Sequence, residues 1–287
     1  MEIDDQRILL GKDIFYGTSS WSEKSWIGTF YPSSITPSLM LTHYATQFRS
    51  VEADVTYYRI PSRRMVQNWF QATPIDFVMS AKFPRSIVHA GEERLPNADK
   101  LLLPDFVGHE TLDFLEIMRG LDMKLGPIVL QFPYFNKSVF SEPSQFLNRL
   151  DLFLGWLPVG YRYAVEIRNR NYLLPEFFDV LRKHGSAFVL ADISYMPHPI
   201  EIFEKLDLVT ADFVYVRLIG NRKAVEEKSH SFDRIVIDQS SRLKQWAEIL
   251  IEFISQHMTV FMYANNHFAG HGPASIRQLV QLIKENC

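Results

Sequence analysis

Eight short apolar runs, each followed by a segment of helical pattern, constrain this 287-residue chain more than any other feature. The runs cover 14–19, 51–55, 77–81, 128–132, 163–167, 187–191, 213–218 and 260–264. Several are apolar throughout, as strands covered on both faces are. Helix signals fill the gaps. Thr36-Pro37-Ser38 offers a cap and an early proline. Pro61-Ser62 opens a segment whose Met65, Val66, Trp69 and Phe70 share one stripe. Leu243, Trp246, Ala247, Leu250, Ile251 and Ile254 recur at helical spacing. Gly272-Pro273 starts a last helix, with Ile276, Leu279, Val280 and Ile283 on its inner face. Eight alternations predict a single α/β domain over 1–287, a (β/α)₈ TIM-type barrel. Long irregular loops are expected after strand 3 (84–106) and strand 6 (193–212), and 222–228 reads as a solvated loop. A doubly wound open sheet is the alternative, though its strand count is usually lower.

A closed barrel needs a large core. A hydrophobic fraction of 47%, with 22 Phe and 12 Tyr, supplies it. The net charge of −3 lacks the basic excess usual in nucleic-acid binders. The one cysteine, Cys287, rules out an internal disulfide or a thiolate metal site. Residues 1–6 are acidic and carry no apolar signal-peptide core. No apolar run approaches the roughly 18 residues of a spanning helix. The expectation is a cytoplasmic chain without a membrane partner.

In such a barrel the residues just past each strand meet on one face, where active sites lie. Taken in order these are Ser19, Ser20 and Trp21, then Glu52 and Asp54, Lys82, Gln131 and Pro133. Glu166 with Arg168, Asp192, Arg217, and Asn265 with Asn266 complete the set. Strand alternation keeps Glu52 with Asp54, and Glu166 with Arg168, on one side. Glu52, Glu166, Asp192 and Lys82 form the candidate catalytic group, because paired carboxylates and an amine exchange protons with a substrate. Lys82, Arg168 and Arg217 hold an anion and lower carboxylate pKa values. Asn265 and Asn266 orient it, and Trp21, Tyr57 and Arg59 line a wall. The same set also reads as a neutralised ion-pair network that merely closes the barrel. Trp21 and Trp26 either stack on a ligand or pack as a lid. Gly220, Gly270 and Gly272 flank strands 7 and 8. With the amides of the last helix and Arg217 they suggest a phosphate or carboxylate site, or else ordinary turn chemistry.

His267 and His271 are the only close histidine pair, and no H-E-x-x-H spacing occurs. The sequence requires no cofactor. A hard divalent metal on Glu52, Glu166 and Asp192 is the metal reading it leaves open ahead of a tight zinc site.

The motifs Tyr16-Gly17-Thr18-Ser19-Ser20-Trp21-Ser22 and Trp26-Ile27-Gly28-Thr29-Phe30-Tyr31-Pro32 resemble the opening of the DUF72, or YecE-like, family. The resemblance continues in order through Val51-Glu52, Tyr57-Tyr58-Arg59-Ile60-Pro61 and Ala81-Lys82-Phe83-Pro84-Arg85. It resumes at Gln131-Phe132-Pro133, Val165-Glu166-Ile167-Arg168, Ala191-Asp192, Tyr215-Val216-Arg217-Leu218 and Tyr263-Ala264-Asn265-Asn266. It implies a TIM-type barrel and no function. The family's fold is likened to endonuclease IV and xylose isomerase, which by analogy suggests DNA repair or sugar isomerisation. This chain departs from the family at Asp54, usually Asn, and at Ile219, usually His. Asn169-Arg170-Asn171-Tyr172 stands where His-Pro-Ser-Trp is usual. The leading expectation is an acid–base enzyme acting on a small polar or anionic, possibly phosphorylated, molecule. The rivals are a nucleic-acid-binding or repair protein and a non-catalytic ligand sensor.

Overall fold

The computed structural model describes residues 10–91, 93, 95–203 and 205–286; the acidic segment 1–6 and Cys287 lie outside the described residues. Eight strands form one sheet: β1 (Ile14–Thr18), β2 (Ser50–Ala53), β3 (Val78–Lys82), β4 (Leu125–Gln131), β5 (Tyr163–Glu166), β6 (Ala187–Ile193), β7 (Phe213–Gly220) and β8 (Thr259–Ala264). Every ladder is parallel, and the spatial order is β1-β8-β7-β6-β5-β4-β3-β2. Helices lie between the strands, so the sheet curls into a nearly closed (β/α)₈ barrel, as the alternation predicts.

Parallel strands covered on both faces put alternate residues into two cores. One fills the lumen with Phe15, Val129, Ala164, Val189, Phe213, Tyr215, Phe261 and Tyr263. The other lies between strands and helices. The helix Arg63–Ala72 starts where Ser62 accepts the Met65 N–H at 3.2 Å, so the Pro-Ser start signal is sound. In Ser240–Ser255 the stripe Leu243, Trp246, Ala247 and Leu250 is buried. Ile249 and Phe253 take the inner places expected of Ile251 and Ile254, which are half-buried. In Gly272–Asn286 all four expected apolar residues are buried.

The remaining differences are local. The expected strand 51–55 ends at Ala53, because Thr56 turns its hydroxyl back to the carbonyls of Ala53 (2.9 Å) and Lys82 (2.8 Å). Asp54 therefore stands just before a one-turn helix, Val55–Tyr58, with its side chain free of the helix amides. The stretch 222–228 is not a plain loop. It holds the helix Arg222–Glu226, opened by the Asn221 side chain and pinned by buried Val225. The long third and sixth connections contain the short helices Arg85–Val88 and Pro199–Phe203. Among the described residues, no helix is long and apolar enough to cross a membrane.

Among the described residues no backbone ladder joins β1 to β2. The Tyr44 hydroxyl bridges that seam. It accepts the Thr18 N–H at 2.7 Å and donates to the Ser50 carbonyl at 3.1 Å. Position 17 must be glycine here, since a Cβ would lie 1.9 Å from the Ser50 carbonyl oxygen.

Candidate functional site

The lumen changes character along its length. At the N-terminal end Phe15 stacks on Phe261 at 5.1 Å, with Phe213 beside them. One layer up, hydroxyls appear. The Tyr263 oxygen lies 2.6 Å from Ser50 Oγ and 2.8 Å from Ser80 Oγ. Two residues further along each strand come charges. The sequence sets this gradient by twos: Ser50-x-Glu52, Ser80-x-Lys82, Tyr215-x-Arg217.

Arg217 is the hub of the charged layer. Its Nη1 donates to Gln131 Oε1 at 2.9 Å and to Glu166 Oε2, and its Nη2 donates to Glu52 Oε1 at 2.9 Å. Tyr215 donates its hydroxyl to Glu52 Oε2 at 2.8 Å. Lys82 Nζ bonds Asp54 Oδ1 and lies 3.3 Å from Glu52 Oε1. Arg168 grips Glu166 Oε1 through Nε (3.0 Å) and Nη2 (2.9 Å). Three carboxylates thus face three cations, all lumen-directed. Buried charges persist only when paired in this way.

Burial would raise the Glu166 pKa, but Arg217, Arg168 and Lys82 outweigh it and hold it down to about 2. For Arg217, burial opposes the charge, and Glu166 and Glu52 more than restore it. Burial next to Glu52 pushes the Tyr215 phenol well up, so it stays a donor. The centre of the layer is closed upon itself. Its outer edge is not: the side chains of Asp54 and Arg168 are 30% and 24% exposed. Arg168 Nη1 reaches outward to the Tyr195 hydroxyl at 3.4 Å. Tyr57 walls this edge, with its ring 5.9 Å from Lys82 Nζ and its hydroxyl 3.0 Å from His89 Nε2.

The structure therefore brings together Glu52, Asp54, Lys82, Gln131, Glu166, Arg168, Arg217 and Tyr57. Others of the expected set are elsewhere. Asp192 is turned outward, because β6 runs on to Ile193 and its lumen positions are Val189 and Ala191. It accepts from Arg242 Nε (2.6 and 2.8 Å) and Trp246 Nε1 (2.7 Å), on the far side of the wall from Glu52 and Glu166. It cannot share a metal with them. Among the described residues, no group of three His, Cys, Asp or Glu side chains has metal-ligand geometry. Asn266 is a bracket: its Oδ1 accepts from Trp26 Nε1 (3.2 Å) and from the Gly272 N–H (2.9 Å). Asn265 turns its side chain to the His267 N–H. Arg59 is exposed beyond the helix Val55–Tyr58. Trp26 is core, while Trp21 is half-buried edge-on to Trp69 at 5.6 Å.

The glycine corner after β7 and β8 is not an anion site either. The Gly272 N–H is taken by Asn266, the Ala274 N–H goes to His271 Nδ1 at 3.2 Å, and Pro273 has none to give. Arg217 faces the lumen instead. A Cβ at Gly220 would strike the His267 carbonyl at 2.5 Å, so close packing explains that glycine. The departures at 169–172 have structural work. Asn169 holds both the N–H and the carbonyl of Phe135 at 2.8 Å, and Tyr172 stacks on Phe146 at 5.5 Å.

Sequence reasoning missed Tyr215, whose signal was its place two residues before Arg217. It also missed Tyr195 and the contact between Tyr57 and His89, for which the loops carry no periodic signal.

A family model described as "Protein of unknown function DUF72" matches residues 15–287. No curated protein matches the chain. Solved structures share the fold, among them two DUF72 family proteins. A DUF72 family protein from Enterococcus faecalis is 21% identical with a TM-score of 0.68, covering 94% of this chain and 95% of that one. Another, from Thermotoga maritima, is 23% identical with a TM-score of 0.66, covering 95% and 98%.

Proposed function

This chain belongs to the DUF72 family, whose description assigns no activity, and from the mouth itself we propose a binding site for a small anionic molecule with acid–base chemistry at its edge. One observation carries the reading: the charged layer is sealed at its centre and open only at Asp54 and Arg168. Arg168 anchors the anion. Its guanidinium is held from behind by Glu166, which leaves Nη1 facing outward. Asp54 and Lys82 are the proton-transfer pair, joined directly in the same charged layer. Glu166 is the wrong proton carrier near neutral pH, since it stays ionised far below it and both its oxygens are engaged. It positions Arg168, while Glu52, Gln131 and Arg217 form the floor.

Calorimetric titration and thermal shift with inorganic phosphate and with galacturonate test this. A ligand of the native state raises the melting temperature. Arg168→Met is expected to weaken binding at least about tenfold, the loss of one charge-assisted contact. The reading fails if neither anion shifts the melting temperature, or if Arg168→Met binds as tightly as the parent. Asp54→Asn separates an enzyme from a sensor: it keeps binding and stops turnover only in an enzyme.

A further inference from the structure

The chain has 12 tyrosines, and only three of them are more than half exposed: Tyr58 (69%), Tyr134 (63%) and Tyr195 (56%). All three stand in the connections that follow strands at the barrel mouth, after β2, β4 and β6 respectively, Tyr58 as the last residue of the helix Val55–Tyr58. None is adrift. Tyr58 stands edge-on to Tyr57 with centroids 5.5 Å apart. Tyr195 receives Arg168 Nη1. Tyr134 precedes Phe135, whose backbone is clamped on both sides by Asn169. Exposed aromatic rings around a site are binding surface, because each presents a large area for the few torsions it must fix.

The spacing sets the size of the ligand. In a closed eight-stranded barrel β2 and β6 are diametrically opposed, and strand separation and tilt put opposed strands roughly 15 Å apart. A molecule that touches Tyr58 and Tyr195 must be several rings long. The chemistry between the rings sets its class. Asp54 accepts and Arg168 donates, both at the open edge of the charged layer. Sugar hydroxyls do both at once, whereas the phosphodiester oxygens that line a nucleic-acid backbone only accept and find no donor at Asp54. We infer that the mouth takes an acidic oligosaccharide, its acid group on Arg168 and its ring faces on Tyr58, Tyr134 and Tyr195. This rests on the anion site proposed above.

The test uses galacturonic acid and its linear oligomers of increasing length, titrated into the parent protein and into the double variant Tyr58→Ala/Tyr134→Ala. Both positions are exposed, so the variant's melting temperature should match the parent's. Affinity is expected to rise with chain length in the parent. In the variant the longer oligomers should lose roughly three- to tenfold per ring removed, with the monomer unaffected. Equal affinity for monomer and oligomers, or a variant that binds oligomers like the parent, overturns the inference and leaves the anion site standing. Tighter binding of a single-stranded oligonucleotide than of any galacturonate also overturns it. Failure of the monomer and all oligomers overturns the inference, and it removes the anion site as well when inorganic phosphate also fails to bind.

Discussion

Glu166 and Asp192 end neighbouring strands, both are buried, and an arginine grips each. Their surroundings differ in one respect. Glu166 sits at an inward position of β5 and joins a lumen network of two further carboxylates and three cations. Asp192 sits at an outward position of β6 and ties the strand to the helix Ser240–Ser255 through Arg242 and Trp246. His198 lies 3.6 Å away on the same side. One carboxylate belongs to the lumen layer beneath the mouth and the other to a wall joint. A single step in strand parity separates a candidate site from a fastening.

The contrast breaks hardest at Arg217. Arg217→Met leaves Glu52 and Glu166 buried without their shared cation, so about 3–5 kcal/mol of stability should go, read from urea unfolding. A loss under 1 kcal/mol would mean the lumen layer is as solvated as a surface pair.

Acid is the next probe. In the folded protein the Glu166 carboxyl titrates at about 2, against an ordinary 4.5. Its contribution is therefore complete above about pH 4.5 and disappears as pH falls towards 2, on the order of 3 kcal/mol. Asp192 is shifted in the same direction: burial would raise its pKa, and bonds from His198, Arg242 and Trp246 overcome it. The two overlap in the parent, and Asp151, held down by Lys183 and His184, is shifted likewise, so Glu166 is read as the loss that Glu166→Gln abolishes in the background variant Asp192→Asn. That variant should still lose stability between pH 4.5 and 2. A flat profile there would show that the lumen carboxylate is not held down.

At neutral pH, Asp192→Asn should itself cost about 1–3 kcal/mol, through one weakened buried cluster. It should leave affinity for phosphate or galacturonate unchanged. Glu166→Gln, by contrast, should weaken that affinity because Arg168 loses its backing. Equal effects of the two substitutions on binding would dissolve the distinction. The smallest effect belongs to Arg168→Met, where partial exposure limits the stability change to about 1 kcal/mol or less while binding suffers.

Much of this was legible from residue spacing. Glu52, Lys82, Glu166 and Arg217 each stand an even number of residues from lumen positions, and the gradient from phenylalanine through hydroxyl to charge runs along the same steps. Asp192 misled because it closes an apolar run, yet the small inward Ala191 beside it marks the true parity. Asn266 misled for another reason. It lies one residue into a 3₁₀ turn, where the two-residue period no longer applies and its amide serves Trp26 and Gly272. The rim tyrosines stood outside any such rule, since loop geometry is set by contacts such as Asn169 to Phe135 that link residues 34 apart.

Seven of the eight interstrand gaps have their width fixed by rows of peptide groups. The eighth, between the first strand and the second, is set by the reach of one phenol, that of Tyr44. Any change in the girth of the hoop has its cheapest place there, so backbone amides flanking Thr18 and Ser50 should be the first in the sheet to exchange with deuterium. Glu52 follows that loose fastening on the same strand, and Asp54 stands just past its end. The width of the opening offered to a ligand is thereby coupled to a residue that never touches it.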